Sequence, residues 1–78
     1  MKSATYKLFT HWAGSKSTKI IVKEEEGNWV WDCYSTDGNT FIDYHSDMKV
    51  SQAELKSLKA SGWAVTKLTK AEYFAEIL

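Results

Sequence analysis

The sequence predicts an α+β domain: a four-stranded antiparallel meander followed by helix, strand and helix, with both helices laid on one face of the sheet. Three observations carry this expectation. Runs of alternating apolar residues, punctuated by turn chemistry, fill the first half of the chain. Ser51 with Glu54, and Thr69 with Glu72, each have the spacing of a capping box, the reciprocal hydrogen bonds that open a helix. Between the two boxes Gly62 separates a helical period from a short strand-like one.

In strand one, Ala4 to Trp12, Tyr6, Leu8 and Trp12 share one parity and Thr5, Lys7 and His11 the other, with Phe9 out of step. Ala13 to Lys16 is a turn. Ser17 to Glu25 is strand two, with Ile20 and Val22 set against Lys19, Ile21 and Lys23. Ile21 breaks the pattern there, either as the second buried face of a central strand or as an exposed apolar spot between two lysines. Glu26, Gly27 and Asn28 turn the chain into Trp29 to Tyr34, and Thr-Asp-Gly-Asn at 36–39 supplies hairpin chemistry before Thr40 to His45 returns as strand four. A two-residue Asp37-Gly38 loop would pair Trp31 with Tyr44 and Asp32 with Asp43. A bulged turn would pair Trp31 with Asp43 and Val30 with Tyr44, and is favoured because it keeps two carboxylates from facing each other.

The first helix starts at Ser51, with Val50 and Leu55 placed as a hydrophobic staple and Leu58 continuing the apolar stripe. It stops at Gly62, which puts Leu58 and Trp63 where the two meet in a Schellman ending. Trp63 to Leu68 alternates as a strand. The last helix runs from about Lys70, stapled by Leu68 and Tyr73, and is too short to hold in water unless it docks.

A chain of 78 residues makes one domain, residues 1–78, with a small core, for which 44% hydrophobic and 14% aromatic residues compensate. Cys33 is the only cysteine, which fits a buried thiol in a reducing compartment. No apolar run approaches a membrane span, so a soluble cytoplasmic protein with no membrane association is expected, as a monomer or small homo-oligomer. Net charge is zero but segregated: residues 1–23 carry five Lys and no acid, and residues 24–48 carry seven acids and no Lys. All ten basic residues are Lys, so the planar fork that clamps guanine or phosphate at two points is missing.

No catalytic set can be assembled. His11, Cys33, Asp43, His45 and Asp47 are metal-ligand types without the spacing of a zinc site. The four glycines are too scattered to cradle a phosphate, and each is explained by a turn or a helix end. The expectation is a non-enzyme with no metal or cofactor. In general character, a lone α+β domain with segregated charge and no chemistry looks like the small viral or mobile-element proteins that inhibit a host enzyme or defence complex by occupying its surface. Small regulatory proteins and antitoxins share that character.

The leading expectation is a stoichiometric protein-binding module, an inhibitor or modulator of a larger protein, working against a basic partner surface. Its site would be the acidic end of the meander, Glu24, Glu25, Glu26 and Asp47, with Ile21 as the apolar neighbour. The second reading is a weak nucleic-acid binder using Lys7, Lys16, Lys19 and Lys23 beside the aromatic rings of Trp29 and Trp31.

Overall fold

The computed structural model describes residues 4–44 and 48–78. Its frame is three long antiparallel strands, β1 (Thr5–Ala13), β2 (Lys16–Glu25) and β3 (Asn28–Ser35), joined by the tight turns Gly14-Ser15 and Glu26-Gly27. Two short strands follow, β4 (Ile42–Asp43) and β5 (Lys49–Val50), then α1 (Gln52–Ala60), β6 (Ala64–Leu68) and α2 (Lys70–Ile77). The sheet runs β4-β3-β2-β1-β6, with β5 also paired to β3. Among the described residues no helix is long and apolar enough to cross a membrane.

Both helices begin as their capping boxes require. The Ser51 and Thr69 oxygens accept from the amides of Glu54 and Glu72, whose carboxylates accept from the cap amides in return. α1 ends in a Schellman motif: Trp63 N donates to Leu58 O at 3.2 Å and Gly62 N to Lys59 O at 3.1 Å, with Gly62 at φ 97°. Val50 and Leu55 share one buried cluster, and Leu68 packs with Tyr73 in another, so both staples close.

The placement of the helices differs from expectation. Successive residues of β1 point to opposite faces, and both faces are covered. Tyr6, Leu8, Ile21, Cys33 and Leu68 form one core with Tyr73 and Ile77 of α2. Phe9, Val22 and Val50 form the other with Leu55 and Leu58 of α1. The helices therefore lie on opposite faces. α1 crosses the Phe9 face to carry the chain from the β3 edge to the β1 edge, and α2 folds back over the Tyr6 face. Phe9, out of step in the sequence, is the residue that gives the second face its core.

Strand four is also different. It divides into β4 and β5, because six steps from Asp43 to Lys49 are set against only three from Cys33 to Val30. Of this segment, His45 and Asp47 lie outside the described residues. Neither expected hairpin register forms: Cys33 pairs with Asp43 and Tyr34 with Ile42. The cause is a wider loop organised by one carboxylate. Asp37 Oδ1 accepts from Asn39 N and Thr40 N at 2.8 Å and from Ser35 Oγ at 2.9 Å, while that buried serine oxygen accepts from Gly38 N at 2.9 Å.

A register shift between β2 and β3 at Ile21/Val22 leaves Asp32 as an extra residue, since Ile21 pairs with Cys33 and Val22 with Trp31. The bulge turns Asp32 toward α2, where its carboxylate accepts from the Tyr73 hydroxyl at 2.6 Å.

Candidate interaction surfaces

The acidic end is built by the β2–β3 turn. Glu26 and Gly27 both have positive φ, 54° and 82°, the geometry that lets a two-residue turn follow the twist of its strands. Glu24 Oε2 accepts from Gly27 N at 3.4 Å, which braces the turn from inside. Glu25 is exposed and pairs with Lys23 at 2.8 Å, and that hydrogen bond holds its carboxyl below the usual range and raises the lysine. Beside the turn, Lys23, Glu25, Asn28 and Val30 line a shallow recess of about 280 Å³. Glu24, Glu25 and Glu26 thus sit together at one end of the sheet, while Asp47 lies outside the described residues.

Ile21 does not belong to this surface. It is 0% exposed, packed among Leu8 and Cys33 on a strand covered on both faces, so the buried alternative holds and no partner can reach it.

The residues of the nucleic-acid reading do not converge. Lys7 lies over the Trp29 ring at 4.9 Å, on the α1 face with Trp31. Lys19 and Lys23 have the parity of Ile21 and project from the α2 face, where Lys19 Nζ meets Glu76 Oε1 at 2.6 Å and Lys23 meets Glu25. Lys16 is exposed at the far turn. The rings are engaged as well: Trp31 and Tyr34 each pack on Tyr44, at centroid distances of 6.1 and 4.8 Å. The large exposed aromatics, Trp12 and Phe74, belong to the α2 side.

A different set of lysines does come together. Lys7 and Phe9 of β1, Val65 of β6 and Gln52, Leu55, Lys56 and Lys59 of α1 line a groove of about 240 Å³. Lys67 stands opposite Lys7 in the β1–β6 register. Lys56 and Lys59 follow Gln52 at helical spacing, a signal present in the sequence. What the sequence does not display is that β6 returns beside β1, which brings Lys7 and Val65 to the same groove.

Among the described residues no three His, Cys, Asp or Glu side chains gather as a metal site would require. Cys33 is buried, and desolvation together with the neighbouring Asp32 carboxylate pushes its thiol far up. The chain matches no protein-family model, no curated protein and no solved structure.

Proposed function

We propose that the chain is a stoichiometric protein-binding module, an inhibitor or modulator that presents the tip of the β2–β3 hairpin to a basic surface of a larger protein. A nucleic-acid-binding protein offers such a surface, because acidic side chains compete there for the contacts that phosphates make. The observation that carries this reading is Glu26 at φ 54°. A left-handed conformation costs a side-chain-bearing residue roughly 1–2 kcal/mol, and asparagine or glycine would relieve it. A glutamate held there, between Glu25 and a glycine turn, fits a position kept for its charge, since conformational cost gathers where recognition needs it.

The test is capture from lysate with the tagged chain, with and without nuclease, followed by titration of the captured protein. One protein retained in both samples, at equal stoichiometry, and lost when Glu25→Lys and Glu26→Lys are combined, supports the reading. Full affinity in that variant, with the fold intact by circular dichroism, overturns it.

A further inference from the structure

We propose that the groove between α1 and the outer edge of β6 docks an extended acidic peptide segment of a partner protein, which joins the sheet as a strand beside β6. This goes beyond the hairpin-tip reading and rests on different residues. Two independent features meet at the groove.

The first is charge. Its lining carries Lys7, Lys56 and Lys59 and no acidic side chain among the described residues, and Lys67 adds a fourth ammonium from the same face. Phe9, Leu55 and Val65 supply apolar contact between the lysines. A cleft of one sign with apolar walls concentrates the opposite charge and selects against its own.

The second is the backbone. β6 ends the sheet, with no described strand beyond it, and Ala64 to Lys67 are all exposed. In an antiparallel edge strand alternate residues turn their N–H and C=O groups away from the neighbour, so this edge can pair with an incoming chain. Strand addition draws affinity from those main-chain bonds and specificity from alternate side chains, and here the alternate side chains of an added strand reach over Val65 toward the lysines. The edge favours a peptide over a nucleic acid, which has no use for it, and the described rings of this face, Trp29, Trp31, Tyr34 and Trp63, each already pack against a neighbouring side chain.

The experiment uses the full chain, isotope-labelled, and a fluorescent octapeptide alternating glutamate and valine, at low ionic strength. The expected result is saturable binding that weakens with salt, and new hydrogen-exchange protection at alternate amides of β6. Combining Lys56→Glu and Lys59→Glu should weaken binding about ten-fold or more, which corresponds to about 1.4 kcal/mol. Both lysines are exposed on a helix, and Lys56→Gln with Lys59→Gln provides a milder pair should the reversal disturb the fold. Several results overturn the proposal: no binding of the peptide; equal binding of a lysine–valine octapeptide; binding without protection in β6; tighter binding of a single-stranded oligonucleotide than of the peptide; or concentration-dependent self-association that the lysine variants abolish, which assigns the groove to a second copy. Since the hairpin tip is untouched in these variants, failure here and failure of the Glu25/Glu26 test are separable.

Discussion

The Tyr73 hydroxyl donates to the Asp32 carboxylate at 2.6 Å across 41 residues of sequence, and this bond ties the last helix to the bulge in β3. The Tyr73 ring also stacks on Tyr6, with centroids 3.9 Å apart and planes 10° from parallel. Desolvation, followed by the bond to Asp32, raises the phenol, so the hydroxyl keeps its proton.

Tyr73→Phe keeps the stacked ring but removes the hydroxyl donor from a partly buried carboxylate. A loss of about 1–2 kcal/mol is expected, since hydrogen bonds to charged groups are among the stronger ones. Denaturant unfolding measures the loss, and hydrogen exchange should show α2 opening before the sheet. Unchanged stability would mean that water replaces the hydroxyl at no cost.

Gly38 sits at φ 81° beneath the 35–41 loop, and a Cβ there would collide with Ser17 Oγ. Gly38→Ala should cost about 2–4 kcal/mol, combining left-handed strain with overpacking. Adding Ser17→Ala removes the colliding oxygen, so the double variant should recover the steric part and retain the strain. The coupling in that double-mutant cycle is the quantity to read. Simple additivity would contradict the close approach.

Asp37 has its carboxyl lowered to about 2, chiefly by the amides of Thr40 and Asn39 and then by Ser35 Oγ. The folded value lies below the ordinary carboxylate near 3.8, so the stabilisation is fully present above about pH 4 and is lost as pH falls toward 2. Asp37→Ala should lower the melting temperature at neutral pH. Its gap from the parent should narrow on acidification through that window, and a gap independent of pH would show that the ionised carboxylate is not what holds the loop.

Glu26→Asn should stabilise the hairpin by about 0.5–1 kcal/mol, because asparagine tolerates the left-handed region better than glutamate does. Thermal melts compare the two chains. The same variant should bind the captured partner more weakly, separating the stability of the turn from the use of its charge. A variant that is both more stable and fully competent in binding would leave the glutamate unexplained.

Much of this architecture was legible because it is local. Ser51 and Glu54, Thr69 and Glu72, and the Leu58-Gly62-Trp63 ending satisfy backbone groups within a few residues, so their spacing alone specifies both helices. The three long strands follow from alternation and from turns at Gly14 and Gly27. The acidic end was legible for the same reason, as Glu24, Glu25 and Glu26 are neighbours in the chain. What only the tertiary structure decided depends on which strand lies beside which. Ile21 is buried because both faces of β2 are covered, and that follows from α1 and α2 taking opposite sides. The β3–β4 hairpin takes its own register because Asp37 gathers the donors around it into a wider loop than its Asp-Gly pair suggested. The basic groove exists because β6 returns to the β1 edge, which joins Lys7 to Lys56 and Lys59. Burial and charge proximity of this kind are properties of the packed sheet, where residues far apart in sequence exclude water from one another, and no window of the chain contains them.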